Sequence, residues 1–291
     1  MPTARERLAL AAGSNGRLYA IGGAVGGGWT AVVEEYSPST DTWRSVASLS
    51  VGRYGLAAVT ASSGKIYAIG GFSLGGPDAT VEEYDPATNV WTRKAGMPTP
   101  RGYLALAAGA NGRIYAIGGA NGAGISYALV EEFDPQTNTW AAKASMPTAR
   151  HWLGATTATN GKIYAIGGSR ADGGALSAAE EYDIASNTWK ILPNLPVGRW
   201  GLGVGSALNG RIYAIGGHDG TAIVPTVTEY DPISNLWSTR TSMPTARHWL
   251  GVAAATNGKL YAIGGGKGVF TNENLGIVEE ATISTTNAAL R

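Results

Sequence analysis

The sequence contains no cysteine. Disulfides, thiolate metal sites and cysteine nucleophiles are therefore excluded, while the cellular compartment stays open. Charge is scarce too: 15% of residues are charged, the net charge is +1, and lysine and arginine form no run. That excludes the basic footprint of a nucleic-acid binder and a polybasic membrane patch. No apolar stretch approaches the ~18 residues of a spanning helix, so no membrane insertion is expected. No leader-like segment opens the chain. It begins Met1-Pro2-Thr3-Ala4-Arg5, a run that recurs at Met146 to Arg150 and Met243 to Arg247, so the start reads as a cut within a longer protein.

What the chain has in excess is glycine, 43 residues in 291, and the glycine is periodic. Asn160-Gly161-Lys162-Ile163-Tyr164-Ala165-Ile166-Gly167-Gly168 recurs in six close variants. Their glycine pairs begin at Gly22, Gly70, Gly118, Gly167, Gly216 and Gly264, with spacings of 48, 48, 49, 49 and 48. A fixed period of this size marks a repeat architecture and outweighs length as a guide to domain number.

Each repeat reads alike. A proline-bearing segment ends in arginine and fits a loop between strands. A strand of small residues follows, here strand a, with a leucine three residues past each arginine. Asn-Gly (Ser63-Gly64 in the second repeat) predicts a type I′ hairpin turn with positive φ at both residues. Strand b, Arg/Lys-Ile/Leu-Tyr-Ala-Ile, ends in Gly-Gly, which marks close backbone approach. A variable loop leads to strand c, for example Val81 to Tyr84, and an Asp/Asn turn to strand d. Strand d carries a tryptophan seven residues after the strand-c aromatic: Trp43, Trp91, Trp140, Trp189 and Trp237. In the last repeat Ala281 and Ala288 stand where tyrosine and tryptophan are expected. The tail from Ala288 to Arg291 can supply only a weak outer strand, and the seam between last and first repeats is expected to be the weakest part of the ring.

Gly-Gly, an aromatic after a variable loop, then six residues and a tryptophan: this pattern resembles the Kelch repeat, over essentially the whole chain. The resemblance implies an all-β fold, a single domain of residues 1–291 forming a six-bladed β-propeller of four-stranded antiparallel blades around a central channel. The blades would be approximately residues 1–48, 49–96, 97–145, 146–194, 195–242 and 243–291. Such propellers leave only short outer sheet edges. A monomer is expected.

Features present in every repeat point to structure. The six arginines (Arg5, Arg53, Arg101, Arg150, Arg199, Arg247) and the strand-c glutamates predict a repeated Arg–Glu contact holding blade to blade, since buried charges need partners. The strand-d tryptophans predict core packing. Antiparallel order puts the d–a connections and the variable b–c loops on one face, where binding is expected. Removing the repeated tryptophans leaves Trp29, Trp152, Trp200 and Trp249, all on that face, together with all three histidines, His151, His218 and His248.

The positions one and two past the repeated arginines hold Glu6-Arg7, Tyr54, Tyr103, His151-Trp152, Trp200 and His248-Trp249. Strand a is innermost in a propeller, so these residues should ring the channel mouth. In Kelch proteins, by resemblance, these positions and the b–c loops form the ligand surface. The candidate ligand-binding residues are Arg7, Tyr54, Tyr103, His151, Trp152, Arg170, Trp200, His218, His248 and Trp249, with Asp172, Asp219 and Lys267 as further loop residues on that face.

The histidines lie on different repeats without local metal-ligand spacing, so no metal and no cofactor is expected. Some Kelch relatives are copper oxidases with a cysteine-linked tyrosine, which this chain cannot make. Others are sugar epimerases, for which Glu6 with His248 or His151 could supply an acid–base pair. The leading expectation is a non-catalytic module holding a peptide or protein partner on the variable face. The alternatives are a glycan-binding propeller stacking sugars on Trp152, Trp200 and Trp249, a sugar-modifying enzyme, and a duplicated or designed scaffold without a ligand. The last is raised by residues 146–168 and 243–265, identical at 19 of 23 positions.

Overall fold

The computed structural model describes residues 1–268, 273–283 and 288–290. Six four-stranded antiparallel sheets follow one another along the chain, each in the order a-b-c-d. The first blade is Ala9–Ala12, Leu18–Ile21, Val33–Ser37 and Thr42–Val46. Strand a lines the axis and strand d faces solvent. The protein is therefore a six-bladed β-propeller. Strand b, as in Ile163–Ile166, is buried at every residue, and most of strand d, as in Thr139–Lys143, is exposed. The core lies between blades: one cluster joins Tyr164 and Ile166 of the fourth blade to Leu202, Ile212 and Ala214 of the fifth.

The Gly-Gly pairs make the junctions. Gly167 is left-handed (φ 64°), and a Cβ on it would lie 2.5 Å from the Arg199 carbonyl oxygen of the next blade. Gly168 N–H donates to that same carbonyl at 2.8 Å. The arrangement recurs at all six junctions, including the seam, where Gly265 donates to Arg5 at 3.0 Å. Only glycine allows this approach of two backbones.

The arginine side chains depart from expectation. Each reaches over its own blade instead of the neighbouring one: Arg53 to Glu82 (2.8 Å), Arg150 to Glu180 (2.8 Å), Arg247 to Glu279 (2.7 Å), and likewise Arg5 to Glu34 and Arg101 to Glu131. The ion pair staples strand c to the segment entering strand a, and the arginine backbone makes the blade-to-blade bond. The fifth blade differs again. Thr228 replaces the glutamate, and Arg199 donates to its hydroxyl (2.9 Å) and to the carbonyls of Gly216 and Thr226.

The Asn-Gly turns also differ from a type I′ hairpin. Only the glycine is left-handed, and the asparagine turns its side chain inward. Asn160 donates to Tyr164 Oη at 2.8 Å, and that hydroxyl donates to Glu181 at 2.5 Å. The side-chain bond pins the turn to strands b and c and outweighs the mirror-image turn. The strand-d tryptophans are half-buried against the core clusters. Four of them donate to the backbone of the preceding blade, as Trp91 Nε1 does to Ala47 O at 2.7 Å. In the last blade Ala288–Leu290 pairs with Ala281 to Ile283, a three-residue outer strand; Arg291 lies outside the described residues.

Candidate functional site

In every blade the segment entering strand a pairs with the residue that follows Gly-Gly: Glu6 with Ala24, Tyr54 with Phe72, Gly102 with Ala120, His151 with Ser169, Trp200 with His218, His248 with Gly266. The d–a and b–c connections thus share one face, at the end of the channel. Below this face the channel is a cavity of about 310 Å³ lined by strand a, including Thr60, Thr156 and Ser206.

Two residues past each repeated arginine the backbone is left-handed in all six blades: φ is 53° at Arg7, 62° at Gly55, 56° at Tyr103, 53° at Trp152, 62° at Gly201 and 50° at Trp249. Each of these N–H groups donates to the carbonyl of its counterpart in the preceding blade. The distances are 2.9 Å from Arg7 to Trp249, 2.9 Å from Gly55 to Arg7, 2.7 Å from Tyr103 to Gly55, 2.9 Å from Trp152 to Tyr103, 2.9 Å from Gly201 to Trp152 and 2.7 Å from Trp249 to Gly201. Six bonds close a belt around the axis.

Glycine takes this conformation freely, whereas an L side chain there costs about 1–2 kcal/mol. The other left-handed non-glycine residues among those described, Asp41, Asn89, Asn138, Asn187 and Asn235, are all Asx residues of the c–d turns, a type that tolerates it. Among the described residues, only at the mouth do Arg, Tyr and Trp occupy such a position.

Their side chains overlap like slats. Tyr103 lies over Gly55 and Trp249 over Gly201, where a Cβ would meet either ring within 2.8 Å. Around the mouth the rings run Tyr54–Phe72 (5.6 Å between centroids), Phe72–Tyr103 (4.8 Å), Tyr103–Trp152 (5.2 Å), Trp152–Trp200 (4.9 Å) and Trp200–Trp249 (5.4 Å). The Arg7 guanidinium closes the circuit, 3.7 Å from the Trp249 centroid and 5.9 Å from that of Tyr54. The recess left at the centre holds about 100 Å³.

Trp200 and Trp249 are buried, and neighbours cover their faces. His218 stacks on Trp200 at 4.6 Å, and His248 stacks on Trp249 at 3.8 Å. Arg7, Tyr54, Tyr103, Trp152 and His218 remain partly exposed. Burial pushes both His151 and His248 down to about 4, so both are neutral at pH 7. His151 Nδ1 shares a 2.9 Å hydrogen bond with Ser126 Oγ. Burial raises the Glu6 carboxyl, opposed by Arg7, whose Nη2 lies 3.4 Å from Glu6 Oε1.

Nine of the ten candidate residues converge on this mouth. Arg170 does not: it stands exposed on the fourth blade's loop, its N–H bonded to Gly174 O. Phe72, buried between Tyr54 and Tyr103, is a belt neighbour that sequence reasoning passed over. Its signal was an aromatic directly after Gly-Gly, where other repeats hold alanine, serine, histidine or glycine.

A family model described as "Kelch motif" matches residues 7–50, 53–98, 101–147, 154–196 and 204–244. The chain belongs to the Kelch-repeat family. The final Kelch repeat is the one left unmatched, and it is the one that lacks the strand-c tyrosine and the outer tryptophan. No curated protein sequence matches the chain. Among solved structures, one titled "Structure of YjhT" superposes with a TM-score of 0.84 at 16% identity, over 100% of this chain and 98% of that one. At that identity the likeness is one of fold. The family accounts for the repeated Gly-Gly and tryptophan; the residues at the mouth are what individualise this Kelch propeller.

Proposed function

We propose that this Kelch propeller is a non-catalytic binding module that holds a peptide segment or partner protein against its variable-loop mouth. The observation carrying the reading is the left-handed belt. Two blades use glycine there, yet Arg7, Tyr103, Trp152 and Trp249 are kept against a backbone preference of about 1–2 kcal/mol each. Strain of this kind clusters where function requires a particular side chain. Partly exposed Tyr, Trp and Arg side by side are the composition of protein-binding hot spots. The recess at the centre of the mouth, about 100 Å³, admits one side chain. Glycan stacking ranks second, because it needs free ring faces and those of Trp200 and Trp249 are covered.

The test is a peptide-display selection on the wild-type protein, with affinities re-measured on Trp152→Gly. Glycine suits the left-handed backbone, so the belt is retained. Selected peptides should lose about tenfold or more in affinity. Peptides that bind both proteins equally would place their contact away from the mouth and sink the reading, and so would a selection that yields no binder.

A further inference from the structure

Asn-Gly is the dipeptide in which asparagine most readily modifies itself, because glycine has no side chain to keep its own backbone nitrogen from the asparagine amide carbon. The chain holds six such pairs. Five sit at the a–b turns, at Asn15, Asn111, Asn160, Asn209 and Asn257, and there the fold ties down both reacting groups. The glycine N–H, whose nitrogen would attack, donates to the carbonyl three residues back at 2.9–3.1 Å. The asparagine Nδ2, which would leave, donates to the strand-b tyrosine hydroxyl at 2.8–3.1 Å.

The sixth pair, Asn121-Gly122, lies in the b–c loop of the third blade and is arranged differently. Among the described residues neither the Gly122 N–H nor Asn121 Nδ2 has a hydrogen-bond partner. Asn121 Oδ1, by contrast, accepts twice, from Ala123 N–H at 3.0 Å and from Ile125 N–H at 3.3 Å. Each turn asparagine accepts there from a single N–H, two residues on. This oxygen takes up negative charge when the amide carbon is attacked, and paired backbone donors stabilise such an oxyanion. Asn121 is partly exposed and Gly122 exposed, so water reaches both.

We infer that Asn121 is a self-modification site, which the folded chain converts to aspartate or isoaspartate. The Gly122 nitrogen bonds to Asn121 Cγ, the Cγ–Nδ2 bond breaks, and Nδ2 departs as ammonia with the proton that the Gly122 nitrogen gives up. A cyclic succinimide remains. Water opens it: attack at Cγ gives aspartate, and attack at the main-chain carbonyl carbon of residue 121 gives isoaspartate, with the chain rerouted through Cγ. Water is the one co-reactant. The loop adjoins the mouth. Ala120 pairs with Gly102, Ser126 shares a hydrogen bond with His151, and a Cβ on Gly122 would stand 2.9 Å from the Phe72 ring. Residues 119–129 include no charged side chain, so either product gives this loop a carboxylate. Isoaspartate also lengthens the backbone by a methylene where it meets Phe72. The chemistry needs no ligand at the mouth and stands whether or not a peptide binds there.

The test follows all six pairs at once. Folded protein is held in mildly alkaline buffer, and samples are digested in acid, which halts the reaction. Each Asn-Gly peptide is read by mass spectrometry, with isoaspartate counted by enzymatic methylation. Asn121 should convert more than about tenfold faster than any turn asparagine, because the turns must first break the hydrogen bonds on both reacting groups. In urea, where the fold no longer distinguishes them, the six rates should draw together. Asn121→Gln should abolish the early acidic form seen by ion exchange. A folded-state rate at Asn121 no higher than at the turns would overturn the site. So would the same ranking in urea, which would trace the difference to local sequence, or an early acidic form that survives Asn121→Gln.

Discussion

The Arg7 guanidinium carbon lies 3.7 Å from the centroid of the Trp249 ring, joining the first blade to the last across the channel mouth. A contact of this kind is worth about 0.5–2 kcal/mol, while the left-handed backbone at Arg7 works against it. Arg7→Gly loses this contact and the ion pair with Glu6 but relieves the strain. Arg7→Ala loses the contact and keeps the strain, so it should be less stable than Arg7→Gly by about 1 kcal/mol. Alanine equal to or better than glycine would mean that backbone conformation does not burden this position.

The junction glycines differ sharply from loop glycines. Gly167→Ala would drive a Cβ to 2.5 Å from Arg199 O, between two backbones that cannot part without opening the blades. A loss of more than about 3 kcal/mol is expected. Gly173 is equally left-handed (φ 83°), but nothing lies within 4 Å of its Cβ position. Gly173→Ala should lose only about 1 kcal/mol. Chemical denaturation of the two variants side by side checks the contrast.

Arg150 is wholly buried, and burial pulls its guanidinium down to about 10 despite Glu180 at 2.8 Å, so it stays charged at neutral pH. Glu180→Ala leaves a buried cation without its partner and should destabilise by about 3–5 kcal/mol. Glu180→Thr copies the fifth blade, where Thr228 and carbonyl oxygens surround Arg199, and should cost less. The order of the two melting temperatures decides the point; threonine as damaging as alanine would mean that Arg199 is held by something other than the hydroxyl.

Acid should weaken the protein before its carboxylates titrate. His151 and His248 are held down at about 4 by burial, with His218 and Arg7 adding to the effect at His248, whereas unfolded histidine titrates near ~6.5. Above that pH both states are neutral and nothing is lost. As pH falls from ~6.5 toward 4 the unfolded chain takes up protons first, removing up to about 2 kcal/mol per histidine at pH 5. Glu6, raised by burial, acts in the opposite sense. Urea melts at pH 7 and pH 5 should show the loss, and His151→Gln/His248→Gln should flatten it. An unchanged slope would locate the acid sensitivity in other groups.

The repeat made the fold legible. Gly-Gly, Asn-Gly and tryptophan at a common period assign four strands per blade and two faces without reference to packing. The Arg–Glu pairing was not legible for a geometric reason: Glu34 lies 19 residues before Arg53 and Glu82 lies 29 after it, and pattern alone does not choose between them. The mouth was located because Trp152, Trp200, His248 and Trp249 interrupt the repeat. Their burial was not foreseen, since the aromatic rings cover one another across blades and neighbours in sequence do not show that. The belt left a readable trace in Gly55 and Gly201, which share a position with Arg7, Tyr103, Trp152 and Trp249. Glycine alternating with bulky residues at one register is the mark of a left-handed site.

The belt of six hydrogen bonds also acts as a gauge. Its circumference is six hydrogen bonds of 2.7–2.9 Å and the six residues that link them, and so it sets the diameter at which the rings of facing blades can touch. A chain assembled from near-copies could gain or lose a unit by a single duplication or deletion, and every blade-to-blade junction would still be chemically correct. The hoop would not: five steps would crowd Tyr103, Trp152 and Trp249 into one another, and seven would separate them and turn the closed mouth into an open bore. Blade number and the shape of the ligand surface are thus inherited together, and changing one remakes the other.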